Sequence, residues 1–501
     1  MSSIDGIVFG FSVALQWQNL FACFAGVLIG TIVGVLPGIG PVGAMALLLP
    51  ATFALTPAGA LIMLAGIYYG SMYGGSTTAI LLKIPGEVSS VITTLDGYEM
   101  ARRGRAGPAL FVAALGSFVA GTIGVVGLAF LGPLLSRAAL TFGPPEFFAL
   151  CLLGLMVLSR LTGSPLPRAF LMVTVGLALS TVGMEPMSGS SRFTFGFLDL
   201  AQGIDLVPVA MGMFGVAELL KMAEGALVQA KPISVRLREL LPSKEEWRRS
   251  VWPIGRGSLM GFLFGLVPGP TAMIATFTSY AVERKLSSHP EQFGKGAIEG
   301  VAGPEAANNG AAQGAFIPLL TLGIPFAPAS AMLLAALLIH GVKTGPLMIA
   351  NNPEVFWGVV SSMYVGNLML LVLNLPLIGV FVSLLRLPLY FIASIVALFC
   401  LVGTYAIGNS IMDVWVLLLS GVAGYLLRKL RFEPAILVLA LALGPILERS
   451  FIQSLYLVQG DWLQILQRPI TAAMLVAGLA ALAAPALFRL GRRMVAQGRP
   501  A

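Results

Sequence analysis

The chain has 501 residues, of which 57% are hydrophobic and 10% are charged. Soluble globular proteins carry about 25% charged residues, so the composition excludes that class and predicts a helical membrane protein with many spans. The net charge of +8 is concentrated in a few loops, where it sets membrane orientation. We therefore predict the lipid bilayer, and no nucleic acid, as the surroundings of the chain.

Two apolar segments come first. Residues 4–15 form a short one, which either crosses the bilayer or lies flat on it. Asn19–Pro50 holds the sequence GTIVGVLPGIGP, which begins at Gly30. Each arm beside this sequence is shorter than the roughly 20 residues that a full span needs. The two interpretations are a re-entrant hairpin and a proline-kinked packing helix.

The glycine and proline residues of this sequence are expected to interrupt its helix. Pro37 removes a backbone donor, and Gly38 and Gly40 permit conformations that are closed to other residues. A break at bilayer depth leaves backbone groups that only protein or a watery cavity can satisfy. The break therefore indicates a site inside the membrane.

Further spans follow in the first half. Residues 58–85 are long enough to cross and carry Ser76, Thr77 and Thr78 in mid-run. A basic loop, 86–107, comes next. Additional spans are predicted near 107–132, 146–161, 168–183 and 204–222. The segment 221–256 is rich in Lys and Arg, and the positive-inside rule places it in the cytoplasm.

The second half repeats the first. The pattern GxxxGxxPG of Gly30–Gly38 recurs at Gly261–Gly269, 231 residues later. A second anchor recurs 240 residues later: Gly70, Gly74, Ile84 and Pro85 match Gly310, Gly314, Ile324 and Pro325. A third pairs Pro145-Glu146-Phe147-Phe148 with Pro353-Glu354-Val355-Phe356. Three anchors in the same order predict a duplication. The second half has further predicted spans near 300–325, 329–349, 355–374, 376–386, 389–408, 411–427, 433–447 and 470–489.

Loop charges predict that the two repeats are inverted. Segment 50–57 has no charge, whereas its counterpart 283–295 is charged; segment 86–107 is basic, whereas its counterpart 326–330 has no charge. Equivalent loops are thus expected on opposite faces. We predict an all-α polytopic membrane protein of two inverted repeats, with broken helices or re-entrant hairpins and about 10–12 transmembrane spans. Its predicted parts are membrane repeat 1 (1–220), a basic cytoplasmic linker (221–256), membrane repeat 2 (257–490) and a cytoplasmic tail (491–501).

Paired Gly/Pro-interrupted segments in two halves are the sequence feature that best indicates a transporter's binding site. A half-helix N-terminus directs positive dipole charge and free N–H groups toward an anion, and unwound carbonyls coordinate Na⁺. The predicted substrate- or ion-binding residues lie at the two breaks and among nearby polar side chains: Pro37, Gly38, Gly40, Pro41, Ser76, Thr77, Thr78, Pro268, Gly269, Thr271, Asn308, Asn309, Gly310 and Thr321.

The polar residues also have structural interpretations. Ser76–Thr78 could bond their own helix or pack between helices. Asn308 and Asn309 could form a helix-start turn before Gly310, and Glu305 could lie at the cytoplasmic end of its span. Glu146 and Glu354 follow prolines at predicted helix starts, where carboxylates favour the dipole, so we expect them to cap helices.

No catalytic residue is predicted. The sequence contains no nucleophile–base arrangement, Walker loop or metal-ligand cluster, and Cys23, Cys151 and Cys400 lie in apolar runs without ligand spacing. No metal site is assigned beyond Na⁺ at the helix breaks. This pattern argues against an ATP-driven pump and against an intramembrane enzyme. A gated anion channel, or a membrane scaffold without coupled transport, is the remaining alternative to a transporter.

Three motifs together carry a family resemblance. GVLPGIGP at Gly34–Pro41, YGSMYGGS at Tyr69–Ser76 and PEAANNG at Pro304–Gly310 resemble the signatures of the TctA family, the large membrane subunit of tripartite tricarboxylate transporters. The similarity extends over nearly the whole chain.

The resemblance implies a secondary active transporter of the bacterial inner membrane. It would import small carboxylates, either a tricarboxylate such as citrate or a related di- or monocarboxylate, by symport with Na⁺ or H⁺ and without another cofactor. The resemblance implies a small TctB-like membrane subunit and a TctC-like periplasmic substrate-binding protein as partners, allows a homodimer, and suggests an elevator-like movement of the broken-helix region.

Overall fold

The computed structural model describes residues 2–36, 40–162, 164–185, 189–224, 239–377, 380 and 389–497, and most of them are helical. In the first half the helices are α1 Ser3–Ala14, α2 Trp17–Val35, α3 Gly40–Leu48, α4 Pro57–Leu82, α5 Thr93–Arg102, α6 Ala106–Ala139, α7 Pro144–Leu161, α8 Leu166–Ser180, α9 Leu206–Ala210 and α10 Ala217–Glu224. A π-helical turn, Met211–Val216, joins the last two. Strands β1 Gly183–Met184 and β2 Ser191–Arg192 pair antiparallel, with Gly183 opposite Arg192.

In the second half the helices are α11 Lys244–Gly265, α12 Thr271–Leu286, α13 Glu299–Gly314, α14 Phe316–Leu322, α15 Pro328–Ile339, α16 Met348–Asn351, α17 Pro353–Asn374, α18 Leu389–Gly408, α19 Ile411–Lys429, α20 Pro434–Leu457, α21 Leu463–Gln467 and α22 Pro469–Gln497.

Seven helical segments of the described residues are long and apolar enough to cross a bilayer: Trp17–Val35, Ala106–Ala139, Pro144–Leu161, Leu206–Glu224, Pro353–Asn374, Ile411–Lys429 and Pro434–Leu457. This confirms an all-α, multi-pass membrane protein, whereas the predicted count of spans stays a prediction. The short helix α1, with 12 residues, packs against α17. The predicted span at 376–386 falls largely outside the described residues.

The predicted span at 300–325 is divided into two helices. α13 ends at Gly314 and α14 begins at Phe316. Pro318 has no N–H to donate to the Gly314 carbonyl, and its ring crowds that carbonyl, so the helix cannot run straight through. Gly323 then ends α14 with a positive φ of 72°.

Both predicted helix breaks leave helix ends in the described residues. α2 ends at Val35 and α3 begins at Gly40, which has a φ of 65°. α11 ends at Gly265, α12 begins at Thr271, and Gly269 between them has a φ of 131°. With 19 residues, α2 reaches the length of a span, contrary to the expectation that both arms are short. The re-entrant hairpin stays a prediction.

Glycines hold two helix pairs together at backbone contact. A Cβ on Gly34 of α2 would lie 2.2 Å from the Ser71 carbonyl oxygen of α4, and a Cβ on Gly265 of α11 would lie 2.4 Å from the Ala311 carbonyl oxygen of α13. The same relation recurs along both pairs: Gly26 with Met63 and Gly30 with Ile67 match Gly257 with Gly303 and Gly261 with Ala307. Small residues permit this close approach of two membrane helices.

Other helices pack against these pairs. α6 packs on α13, α11 and α4, and α17 packs on α1, α4 and α6. One peripheral group contains α7, α8, α20 and α22, and another contains α9, α10, α18 and α19. Nearly all residues of α4 and α13 are buried, whereas α2 and α11 keep exposed apolar side chains such as Phe21 and Leu263. The polar residues of α4 and α13 therefore lie away from lipid.

The segment predicted as a linker, 221–256, is partly helical. Its residues 244–256 form the first part of α11, which begins with a capping box in which the Ser243 hydroxyl accepts from the Glu246 N–H and the Glu246 carboxylate accepts from the Ser243 N–H. Arg105 in the basic loop forms an ion pair with Glu246. The division of the chain into two membrane repeats stays a prediction.

Candidate functional site

The polar residues predicted in α4 and α13 are buried. Ser76, Thr77 and Thr78 lie near the C-terminal end of α4, and Asn308 and Asn309 lie in the middle of α13. None of these side chains is more than 4% exposed. The two helices thus contribute polar groups to the protein interior, which a membrane protein normally fills with apolar or paired groups.

A carboxylate of α13 joins these two helices to α5. The Ser76 hydroxyl donates to Oε2 of Glu305, and the Thr93 hydroxyl donates to Oε1. Glu305 is completely buried inside α13, and its interpretation as a residue at the cytoplasmic end of its span stays a prediction. Its two hydrogen bonds join residues that are more than 200 positions apart in the sequence.

A second carboxylate lies beside Asn308. Nδ2 of Asn308 donates to Oε1 of Glu87 over 2.7 Å. Glu87 lies in the connection between α4 and α5, where burial is the main cause that raises its pKa to about 7, and nearby Glu305 contributes. We call Ser76, Glu87, Thr93, Glu305 and Asn308 the Glu87–Glu305 cluster.

Three amide oxygens of α13 are buried without a hydrogen-bond partner among the described residues: Asn308 Oδ1, Asn309 Oδ1 and Gln313 Oε1. The Nδ2 of Asn309 donates to the Ser117 hydroxyl of α6 over 2.6 Å and contacts the Glu305 carbonyl. Unsatisfied buried acceptors are costly and require an explanation. Here they accumulate on one helix, beside a buried carboxylate, and this pattern is typical of a binding site.

A small cavity adjoins the cluster between α4, α6 and α17. It is lined by Tyr73, Ser76, Thr77, Leu110, Ala113, Ala114, Ser117 and Asn374. Ser76 belongs both to this cavity and to the cluster. The cavity has room for about one water molecule, so in this structure its hydroxyl and amide groups can orient a water-sized ligand.

The first helix break lies next to the cluster. A Cβ on Gly86 would lie 2.3 Å from the Gly34 carbonyl oxygen, one turn before the break, and a Cβ on Gly75 would lie 3.3 Å from the Glu87 side chain. Gly40 and Pro41, at the start of α3, are half-buried. Pro37 and Gly38, which we predicted as binding residues, lie outside the described residues.

The second break lies elsewhere. The Gly269 N–H donates to the Phe326 carbonyl over 2.9 Å, and Pro268 approaches Gly154 of α7. Thr271 is the first residue of α12, and the Thr321 hydroxyl donates to the Ile317 carbonyl inside its own helix. From Asn308 to Gly314, which packs beside this break, α13 rises by about 9 Å. A substrate contact by these residues, or by Gly310, stays a prediction.

Several structural interpretations are now decided by geometry. Asn308 and Asn309 lie in mid-helix, so they do not form a helix-start turn. The Thr78 hydroxyl donates to the Gly75 carbonyl of its own helix, as one interpretation of Ser76–Thr78 proposed. Glu146 caps α7 by accepting from the Gly143 N–H over 2.8 Å.

Three residues of this region were missed in the sequence: Glu87, Thr93 and Ser117. Glu87 lies in the loop that was interpreted by its basic charge alone, although it comes only two residues after Pro85, the last residue of the second anchor. That position was the available signal for Glu87. Nothing in the sequence distinguishes Thr93 and Ser117 from other hydroxyl residues.

The fold and this site define a multi-pass helical membrane protein with interrupted helices and a buried polar centre. A model of the tripartite tricarboxylate transporter TctA family matches residues 20–439. The chain therefore belongs to the TctA family, as the resemblance indicated, and it is a component of a tricarboxylate transporter.

Two relatives come from Agrobacterium vitis. An "Uncharacterized 52.8 kDa protein in TAR-I ttuC' 3'region" is 47% identical over 480 residues, which cover 96% of this chain and 95% of that protein. An "Uncharacterized protein in TAR-II ttuC' 3'region" is 45% identical over 219 residues, which cover 44% of this chain and 90% of that protein. No solved structure matches the chain.

Proposed function

We propose that this protein is the membrane component through which small carboxylates enter the cell across the bacterial inner membrane, driven by a gradient of Na⁺ or H⁺. The substrate is citrate or a related di- or monocarboxylate. A TctC-like periplasmic binding protein delivers it, and a small TctB-like subunit completes the membrane complex. Membership of the TctA family supports this proposal most directly.

The cavity beside the cluster suits an anionic substrate. Among the described residues, its lining contains no carboxylate. The Thr77 and Ser117 hydroxyls and the Asn374 amide line it, whereas the hydroxyls of Tyr73 and Ser76 donate to Asn367 and Glu305 in this structure. Hydroxyl and amide donors bind a carboxylate without the cost of placing a free cation inside the membrane. In this structure the cavity has room for about one water molecule, so we propose it as the position of the substrate site in a state in which the surrounding helices have moved apart.

Two inverted repeats would place this site at their interface. The matching glycine contacts of α2–α4 and α11–α13, with the same offsets of 231 and 240 residues as the sequence motifs, support the duplication. Their inversion is supported by a contact between segments that are not equivalent. Asp96 of α5, in the segment 86–107 after the second anchor of repeat 1, accepts from the N–H groups of Gly296 and Ala297, which follow the segment 283–295 after the helix break of repeat 2. An elevator-like displacement of the broken helices is the transport movement we propose.

Uptake into proteoliposomes tests the proposal. The chain is reconstituted with its small subunit and binding protein, and uptake of radiolabelled citrate is followed with and without an imposed Na⁺ or proton gradient. Saturable uptake that requires a gradient is expected. A flux that follows the anion gradient without saturation would instead show a channel, and a failure of every mono-, di- and tricarboxylate under both gradients would contradict the proposal.

A further inference from the structure

Most buried carboxylates of the described residues have a cationic partner. Four glutamates, each no more than 6% exposed, form ion pairs with arginine: Glu146 with Arg468, Glu218 with Arg428, Glu283 with Arg256 and Glu299 with Arg249. A buried carboxylate that lacks such a partner is costly, because the low-dielectric interior does not compensate its charge.

Asp96 is buried without an ion pair, but it is well compensated. Its carboxylate accepts from the Tyr280 hydroxyl and from the backbone N–H groups of Gly296 and Ala297, at 2.7 to 2.8 Å. Three donors aimed at one carboxylate stabilise its charged form. Asp96 therefore needs no further partner.

Glu87 and Glu305 differ from all of these. Within the described part of the chain neither forms an ion pair, and the donors to them are neutral: the Ser76 and Thr93 hydroxyls for Glu305, and the Asn308 amide and Ser89 for Glu87. Glu305, which is completely buried, and Glu87, which is half-buried, thus lie close together with no ion-pair partner among the described residues. Their stability as carboxylates requires a cation that is not part of these residues.

An independent feature points to the same ligand. Asn308 is completely buried, its Nδ2 is bonded to Glu87, and it follows Glu305 by one helical turn. Among the described residues its Oδ1, on the same amide group, has no partner. A buried carbonyl oxygen on an amide whose nitrogen contacts a carboxylate is an acceptor that only a donor or a cation can satisfy.

We propose that the Glu87–Glu305 cluster binds the coupling cation and that this cation is Na⁺. The ligand atoms are the carboxylate oxygens of Glu87 and Glu305 and Oδ1 of Asn308, with the hydroxyl oxygens of Ser76 and Thr93 at the edge. All are oxygens, which favour hard cations and disfavour transition metals. The assignment deepens the proposed function, because it rests on transport being driven by a cation.

The position of the cluster explains how ion and substrate would be linked. Glu87 and Ser76 come from the first half of the chain and Glu305 and Asn308 from the second, so a bound cation holds the halves together. Ser76 also lines the cavity. An ion at Glu305 therefore changes the hydrogen bonding of the Ser76 hydroxyl, which also lines the cavity. This shared hydroxyl couples ion binding to substrate binding.

Sodium binding to the purified chain tests the site without any substrate. Binding of ²²Na⁺ in choline buffer is measured for the wild type, Glu305→Gln, Glu87→Gln and Asn308→Ala, with Glu354→Gln as the matched control because Glu354 is exposed at the start of α17. Loss of one ligand is expected to weaken binding about 10- to 100-fold, whereas the control binds as the wild type does.

Melting temperatures show whether a variant that fails to bind Na⁺ is still folded. In choline, Glu305→Gln is expected to melt no lower than the wild type, because it removes an uncompensated buried charge. Adding Na⁺ raises the Tm of the wild type, since Na⁺ binds the folded state, and leaves that of Glu305→Gln unchanged. An equal Na⁺ shift in both proteins, no Na⁺ binding by the wild type, or a larger shift with K⁺, Mg²⁺ or Ca²⁺ would overturn the proposal.

The two proposals fail in distinguishable ways. Na⁺-driven citrate uptake, together with unchanged ²²Na⁺ binding in Glu305→Gln and Glu87→Gln, would keep the proposed function and overturn this site. Site-specific Na⁺ binding without uptake of any carboxylate would support the site and contradict the proposed function.

Discussion

The hydroxyl of Tyr280 in α12 donates a 2.8 Å hydrogen bond to the carboxylate of Asp96 in α5, 184 residues earlier in the chain. The other oxygen of this carboxylate accepts from Gly296 and Ala297, in the connection between α12 and α13. Asp96 thus fastens the short helix that carries Thr93 to the second half. The geometry of the Glu87–Glu305 cluster depends on this attachment.

Replacing Asp96 by Asn is expected to lower the free energy of unfolding by about 1–3 kcal/mol, because the charged acceptor of three hydrogen bonds is lost. Tyr280→Phe removes one of the three donors and should cost only about 1 kcal/mol. Thermal unfolding of the purified variants in detergent compares the two. A larger loss in Tyr280→Phe than in Asp96→Asn would contradict the role assigned to the carboxylate.

Alanine at Gly34 or Gly265 is expected to destabilise the protein by about 1–3 kcal/mol, because the new methyl group overlaps a carbonyl oxygen of the paired helix. The two losses should be similar, since the contacts match at 2.2 and 2.4 Å. Gly255→Ala serves as the control in α11, where a Cβ meets nothing within 4 Å. Melting curves of all three variants provide the measurement, and a control as unstable as the others would refute the packing argument.

Thr77→Val keeps the shape of the side chain and removes the hydroxyl from the cavity. We expect a KM for carboxylate uptake that is higher by about tenfold, the equivalent of one hydrogen bond, and an unchanged affinity for Na⁺. The exposed Thr141→Val is the matched control. An unaltered KM would remove Thr77 from the substrate site, and a change in Na⁺ affinity alone would assign it to the cluster instead.

Protons are expected to compete with Na⁺ at Glu87. Since burial raises the pKa of Glu87 to about 7, the carboxyl is neutral below that pH and charged above it. Na⁺ affinity should therefore fall as the pH drops from 8 to about 6. Binding of ²²Na⁺ across this range measures the effect, and Glu87→Gln should show a flatter profile. A profile that keeps its full slope in Glu87→Gln would mean that another group titrates.

Local sequence features predicted the elements that follow local rules. The breaks after Val35 and Gly265 come from Pro and Gly residues, and the helix starts at Pro144 and Pro353 come from prolines at the first turn. The polar stretch Ser76–Thr78 and the pair Asn308-Asn309 stood out because buried polar groups are unusual in apolar runs. These predictions needed no knowledge of tertiary contacts.

The rest of the site depends on contacts between residues that are far apart in the sequence. Glu305 obtains its two hydroxyl donors from residues 229 and 212 positions away, and no sequence period connects them. The cavity likewise combines α4, α6 and α17. Glu87 was overlooked because the arginines of its loop dominate the charge of that segment. Its side chain nevertheless accepts a hydrogen bond from Asn308. Burial of individual side chains in loops is decided by packing, which a single sequence does not display.

The hydroxyl of Ser76 carries one hydrogen atom, and it has two acceptors within reach, Glu305 and the Met72 carbonyl at 3.0 Å. A carboxylate entering the cavity would be a third acceptor for the same hydrogen atom. The hydroxyl can direct a strong hydrogen bond to only one of these acceptors at a time. The orientation of the Ser76 O–H bond therefore depends on which of the neighbouring acceptors is charged.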